Sequence, residues 1–444
     1  MWEFGAVLFS FIYFLIHVAI ESSQIQTDLD KGYFWHVTDL HYDDSYGKSG
    51  QSCGFPVSNP GPFGNGSCDS PLRLIEDSIM TMAKIKPDVD FILWTGDNAA
   101  HIPTSEFSLK RNLYMIQTTT SAIKRKFPGT LVIPSYGNHD FFPADYTNGT
   151  ETAFYDTVCR IWSSWIKDPE QMLTCRRGGF YSRLVSPKLR VLAVNTVLYL
   201  IENPKSRNLT DPSAQFEWLE ETLTAAREAG EKVIVSAHVP PTIPSPSVFH
   251  WFYPQYQGRY VELMTRFSDV IVAHHYAHEH SDTFKILQRN DETGASPVFL
   301  APSVTPLRGT KPSGEQFAHR NPGVRLVQYD RQTGRHLGYQ QFYTNITEDN
   351  NLGKSKWDEL YSFTNAYDVP DMSVSSLRKI YHKMAKPFGA FILQYCSFYS
   401  VTSTPDDVCT LEEQAAFWCG GQLTDLNKTN ECINRYMKQD QNVL

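Results

Sequence analysis

Seven side chains of metal-binding type lie along this chain in short motifs whose spacings suit one kind of chemistry. Asp39 and His41 are two residues apart, so at the end of a strand both can turn toward one side. A carboxylate and an imidazole together suit a borderline divalent cation such as zinc or manganese. Asp97 follows Gly96, and its two carboxylate oxygens can bridge a pair of cations. Asn138 offers a neutral amide oxygen, and Gly137 before it is expected to let the backbone leave its strand sharply. His238, His278 and His280 add three imidazoles, the last two again two residues apart. Together the seven are expected to hold two cations ~3.5–4 Å apart with a water between them, the arrangement of a two-metal hydrolase. Two cations neutralise an anionic phosphoester and lower the pKa of the water, giving a nucleophile near neutral or acidic pH.

His101 and His139 stand beside this set, four residues after Asp97 and one after Asn138. They are the candidates for stabilising transition-state charge or protonating the leaving group. Asp140 is the candidate for orienting His139 through its ring N–H. Any one of these motifs alone reads more readily as a turn, a cap or a loop than as a site. Their shared position at strand ends argues otherwise.

Apolar strand-like runs end at each motif: residues 33–38 before Asp39, 89–95 before Asp97, 130–136 before Asn138, 232–237 before His238 and 269–274 before His278. Segments of helical character lie between them, at 71–85, 105–126, 152–167, 213–229 and 256–267. Such alternation predicts an α/β domain with strands buried on both faces, and ligands collect beyond the carboxyl ends of strands in sheets of that kind. Later strands at 297–301, 323–329 and 336–343, with no helices between them, are expected to form an antiparallel part of the sheet. His274 and His275 read as strand residues, not ligands. Past about residue 352 the texture changes: 355–364, 374–384 and 411–418 read as helices, and no metal-type cluster occurs. This divides the chain into a leader (1–23), a catalytic domain (33–350) and a disulfide-stapled helical subdomain (351–444).

Composition narrows the class. Of 444 residues, 41% are apolar and 13% aromatic, which excludes disorder. A net charge of −8 without any Lys/Arg block excludes nucleic-acid polymer binding through a basic surface. Residues 6–20 are an apolar run of signal-peptide length; because Glu3 and no Lys or Arg precedes it, an uncleaved signal anchor stays open beside the cleaved leader. The eight cysteines are even in number and form no CxxC pair, so disulfides are expected ahead of thiolate metal sites. Their clustering points to Cys53–Cys68, Cys159–Cys175 and two bridges among the last four. Sequons at Asn65, Asn148, Asn208, Asn345 and Asn427 add to the case for a secretory compartment.

The series Asp39-Leu40-His41, Gly96-Asp97, Gly137-Asn138-His139-Asp140, His238 and His278-Glu279-His280 resembles the calcineurin-like metallophosphoesterase superfamily. FWHVTDLHYD (34–43), NPGPFGNGSCDSP (59–71), FILWTGD (91–97) with His101, YGNHDFFP (136–143), DPSAQFEWLE (211–220), AHVPP (237–241) and NPGVRL (321–326) look more narrowly like the acid sphingomyelinase-like phosphodiesterases. The resemblance spans roughly residues 33 to 435. It implies a four-layer sandwich, two central mixed β-sheets flanked by helices, with a C-terminal helical region. It also implies two zinc ions on the seven ligands, His101 and His139 as active-site histidines, and a secreted or lysosomal glycoprotein. Three positions depart from the family's pattern. Ala277 replaces the usual glycine before the last two ligands. Glu279 stands between them and is expected to point away. A cysteine expected near Glu413 is missing while Cys396 is added; a Cys396–Cys409 bridge would reconcile the two and leave Cys419–Cys432.

Purple acid phosphatases place an iron-binding tyrosine where this chain has Ala100, which disfavours that branch. About ten residues separate the leader from the first strand, so a lipid-extracting saposin-like domain is expected to be absent. The expected activity is therefore hydrolysis of soluble nucleotide or choline-linked phosphoesters. The alternatives are cleavage of sphingomyelin to ceramide and phosphocholine, and a non-catalytic binding protein. The expected partners are a small phosphoester or a phospholipid headgroup, with peripheral membrane contact left open and a monomeric chain.

Overall fold

In β1 (Lys31–Val37) successive side chains point to opposite faces, and both faces are covered: Phe34 and Trp35 are each 0% exposed. Phe34 meets the His275 ring edge-on at 5.3 Å, while the Trp35 indole N–H reaches outward to Lys86 O at 3.0 Å. A strand buried on both sides belongs to a layered sandwich, and the computed structural model shows one. It describes residues 30–48, 53, 59–289, 291, 293–307, 319–402 and 409–440; the expected leader lies outside them.

The first sheet runs β12 (Trp357–Ser362), β11 (His336–Thr344), β10 (Gly323–Asp330), β1, β2 (Phe91–Trp94) and β3 (Leu131–Pro134), with β2 and β3 parallel to β1. The second runs β4-β5-β6-β7-β9-β8, from β4 (Tyr181–Ser186) and β5 (Leu189–Ala193) through β6 (Lys232–Ser236) and β7 (Ile271–Tyr276) to β9 (Ser296–Leu300) and β8 (Thr283–Leu287). Here β5, β6, β7 and β9 are parallel and the edges β4 and β8 antiparallel. Helix Leu72–Ile85 packs on the first sheet with Leu109–Lys126 against it, and Gln215–Glu228 packs on the second, where Tyr260 OH of helix Pro254–Arg266 meets Tyr276 OH of β7 at 2.9 Å. These are the two mixed sheets flanked by helices that the resemblance implied.

The later strands divide between the sheets. β10 (Gly323–Asp330) and β11 (His336–Thr344) do extend the first sheet antiparallel to β1. The third, β9, instead lies parallel to β7 in the second sheet, and the unforeseen β8 closes that edge. The helix expected at 355–364 is corrected: Trp357–Ser362 is strand β12, and a helix begins only at Phe363. The open edge of β11 captures it, while Trp357 Nε1 donates to Asp77 Oδ2 at 2.8 Å and Tyr361 OH to Asp282 Oδ2 at 2.8 Å. The helix expected over 152–167 breaks at Trp162, and Lys167 at φ 59° ends its second piece.

Beyond β12, helices Val374–Met384, Ala390–Tyr399, Leu411–Gly420 and Leu426–Asp440 are stapled by Cys396–Cys409 and Cys419–Cys432. Cys53–Cys68 and Cys159–Cys175 complete the expected set of four bridges. Among the described residues no helix is long and apolar enough to cross a membrane.

Candidate metal centre

Five parallel strands, β1, β2 and β3 of one sheet and β6 and β7 of the other, end at the same rim of the sandwich. Backbone hydrogen bonds lace the segments that follow them: Asp39 N to Gly96 O at 3.1 Å, His41 N to Asp97 O at 3.1 Å and Ala277 N to His238 O at 2.9 Å. To aim side chains beyond the strand ends the chain bends sharply, and Asp39, His41, Asp97, His278 and His280 adopt φ values of 49°, 39°, 56°, 71° and 50°. The role expected of Gly137 changes: its φ of −98° is ordinary, and what it supplies is room, because a Cβ there would collide with the Asp97 carboxylate and backbone N.

All seven candidate ligands converge. Asp97 Oδ2 lies 3.4 Å from His41 Nε2 and 3.1 Å from His238 Nε2, so it stands between two groups. On one side are Asp39, His41 and His280, with Asp39 Oδ1 at 3.3 Å from His280 Nε2. On the other are Asn138, His238 and His278, with Asn138 Oδ1 at 3.0 Å from both His238 Nε2 and His278 Nδ1.

The proton positions decide what this cluster is for. His41 Nδ1 donates to Ala99 O at 2.8 Å and His280 Nδ1 to Leu307 O at 2.6 Å, so the two Nε2 lone pairs face each other at 3.2 Å. His238 Nδ1 donates to Thr95 O at 2.7 Å, and the Asn138 amide donates to Asp145 Oδ1 at 2.9 Å; their acceptor atoms too point at one another. Both Asp39 oxygens and His278 Nε2 are buried without a hydrogen-bond partner among the described residues. Acceptors packed against acceptors repel unless cations sit among them.

Burial, reinforced by neighbouring imidazoles, holds His41, His139 and His278 well below the usual histidine range. Burial lowers His238 as well, but the Asp97 carboxylate outweighs it and lifts the ring to about 9, so without a cation a proton occupies the place at Nε2 that a cation would take. In Asp39 the cost of burial is more than offset by His280, His238 and His278, and the carboxyl stays below its ordinary value.

The two additional histidines flank the ligands. His101 stacks on His41 at 4.2 Å and meets His139 at 4.2 Å, and its side chain is 24% exposed at the mouth. Its partner is Asp69, which sequence reasoning missed. Asp69 accepts from His101 N at 2.6 Å and from Nδ1 at 3.1 Å, leaving Nε2 free. Burial lowers this imidazole, and the Asp69 carboxylate outweighs it, so its pKa is raised. The only sequence signal was the CDSP stretch within residues 59–71. The role expected of Asp140 is corrected. It does not hold the His139 ring; it accepts from Gly137 N, Asp97 N and Asn98 N at 2.8, 3.1 and 2.8 Å and so shapes the Asp97 bend. Burial and the Asp97 charge raise it to about 7.

Comparison with known proteins gives the family. Residues 32–282 match the model of the calcineurin-like phosphoesterases, and 294–439 that of the acid sphingomyelin phosphodiesterase C-terminal region. The chain is 34% identical over 424 residues to the human cyclic GMP-AMP phosphodiesterase SMPDL3A, covering 92% of each. It is 35% identical over 400 residues to mouse acid sphingomyelinase-like phosphodiesterase 3b, covering 87% of each. The chain belongs to the acid sphingomyelinase-like phosphodiesterases. With sphingomyelinase phosphodiesterase C of Dictyostelium discoideum this phosphodiesterase shares 32% identity over 421 residues, 90% of its own length and 92% of the relative's.

The metallophosphoesterase fold implies divalent cations, and the facing lone pairs and unpartnered Asp39 oxygens fit them. Three sets of ligand atoms in the phosphodiesterase lie within 4.8 Å of one another: His41, His101 and His280; Asp97, His238 and His278; and Asp39, His41 and Asp97. Ala277 is accommodated, 1% exposed, with its N–H on His238 O. Glu279 turns away from the centre, as expected, and pairs with Lys285.

Proposed function

We propose that this enzyme is an exported di-zinc phosphodiesterase acting on soluble phosphodiesters, nucleotides first among them. The observation that carries the reading is the convergence of acceptor atoms on two adjoining points that share Asp97 Oδ2. Asp39, His41 and His280 would hold one cation, Asn138, His238 and His278 the other, and Asp97 both. When bound, the pair would neutralise the phosphodiester and lower the pKa of a water that it holds. His101, its Nδ1 proton fixed by Asp69, presents Nε2 as the proton donor to the leaving oxygen. His139, whose backbone N–H rests on Asp97 Oδ1 at 2.8 Å, binds the developing charge on the phosphoryl group.

Aromatic rings on segments that adjoin the candidate ligands support a nucleotide substrate. Phe142 and Tyr146, 36% and 39% exposed, stand on the loop after Asn138, and Trp251 packs edge-on to His278 at 4.3 Å. Exposed rings are stacking surfaces for bases, and several mammalian relatives are named cyclic GMP-AMP phosphodiesterases. The second reading, sphingomyelin cleavage, draws on the Dictyostelium relatives named for it. Export is supported by four disulfides and by five sequon asparagines, none of them buried.

The test is turnover of a cyclic dinucleotide, bis(4-nitrophenyl) phosphate and sphingomyelin, before and after chelation and with zinc restored. Chelator-sensitive turnover of the nucleotide ahead of sphingomyelin is expected. Sphingomyelin as the better substrate overturns the substrate assignment, and no zinc-dependent turnover of any of the three overturns the enzymatic reading.

A further inference from the structure

Glu279 separates His278 from His280, and its carboxylate meets Lys285 Nζ at 3.1 and 3.3 Å. The pair is interior, with the lysine side chain 1% exposed and the glutamate 4%. The same ammonium donates to Ile243 O at 2.5 Å, five residues after His238. One buried cation therefore touches both segments that carry the three imidazoles of the second sheet. Lys285 itself lies in β8, which the C-terminal helices hold from outside. Ile286 N donates to Gly421 O at 2.7 Å, and Tyr381 OH to Phe284 O at 2.6 Å.

His278 and His280 both sit in the left-handed region, which L side chains enter only when their surroundings over-determine the bend. Backbone bonds around the bend are few: Ala277 N to His238 O, and Glu279 N to Ala277 O at 2.8 Å. A buried carboxylate with an ammonium at 3.1 Å is a directional tie, and removing either partner takes a close counter-charge from the other in the interior. We propose that Glu279 and Lys285 are positioning residues for the metal centre. Their pairing fixes the bend that presents His278 and His280 and ties it to the loop after His238. This rests on the metal-centre reading above and adds a support outside the ligand set.

The consequence is a coupling that neither residue shows alone. Lys285→Met takes the ammonium from a carboxylate buried between His278 and His280, and the bend loosens as that carboxylate turns toward water. Glu279→Gln with Lys285→Met removes both charges of the pair. The test is zinc retention of the full chain during dialysis against graded chelator, read by mass spectrometry, with circular dichroism as a check on the fold. K285M is expected to release zinc on the order of tenfold more readily than the wild type, and E279Q/K285M to recover to within about threefold. At saturating zinc the KM of K285M should match the wild type and kcat should return, which loss of a substrate contact would not allow.

A wild type that holds two zinc ions beside a K285M variant that holds them equally well overturns the inference alone. So does a double variant that loses zinc as readily as K285M. A wild type that holds none overturns the metal-centre reading, and the inference with it. Should K285M fail to fold, a double variant that folds and retains zinc supports the pairing, and one that retains none overturns it.

Discussion

Asp97 is the residue on which the two halves of the centre depend, because one of its oxygens faces His41 and His238 together while the other accepts the His139 N–H. D97A should therefore lose metal from both positions and lower activity by roughly 10³-fold or more; two zinc ions per chain with activity intact would place the site elsewhere. Asp69 acts differently, through His101. D69N should keep the zinc content of the wild type and lower kcat on the order of 10²-fold, by freeing the imidazole tautomer that the carboxylate fixes. An unchanged kcat would remove His101 from the proton transfer. The seven candidate ligands could be picked out in the sequence because carboxylates and imidazoles at strand ends advertise themselves, and the fold brings them together. Asp69 was not, since an aspartate after a cysteine in a loop reads as a turn. Nor was the work of Asp140, whose partners are backbone N–H groups that no residue type announces.

At the scale of elements, the two sheets are joined by an ion pair as well as by apolar packing. Arg325 of β10 reaches across to Asp282, just after the ligand bend of β7, at 2.5 Å, and the guanidinium is 0% exposed. Tyr361 OH of β12 donates to the same carboxylate, as does Tyr339 OH of β11 at 3.4 Å. R325M should cost about 3–5 kcal/mol, because it leaves Asp282 charged in the interior. The urea unfolding midpoint measures this, and a loss below about 1 kcal/mol would show the carboxylate satisfied by its tyrosines alone. This contact also explains why β12 was read as a helix. Its burial is one-sided and partial, and the residues that hold it, Asp282 and Asp77, lie far away in sequence. The parallel strands other than β5 were legible because their apolar runs are continuous; in β5 Arg190 interrupts the run. The edge strands β4 and β8 were not, because their pairing partners decide them.

For the whole molecule, the interior between and around the sheets holds a set of neutral imidazoles. His336 Nδ1 donates to Gly334 O at 3.0 Å, its Nε2 faces His275 Nε2 at 2.9 Å, His275 Nδ1 faces His36 Nδ1 at 3.3 Å, and His36 Nε2 meets Thr95 Oγ1 at 3.0 Å. Read from Thr95 to Gly334, each ring donates once and accepts once, an order that only three uncharged rings can keep. Burial puts His336 at about 4 and His274 at about 3, and holds His36 and His275 well below the usual range. These folded values lie below the unfolded value of about 6.5, so the native state binds fewer protons than the unfolded one. Stability is then whole above pH ~6.5 and falls as pH drops, toward 4 for His336 and 3 for His274, by about 1.4 kcal/mol per unit for each ring. His274 gives the clean test, because its Nε2 has no partner to orphan and its Nδ1 only a long contact of 3.4 Å to Tyr276 OH. With chelator present in both proteins, so that zinc release does not enter, H274L should lose roughly 2 kcal/mol less stability than the wild type between pH 7 and pH 5. Urea unfolding at the two pH values decides it: equal losses would mean that His274 takes up its proton without unfolding, and that the interior is open to water there.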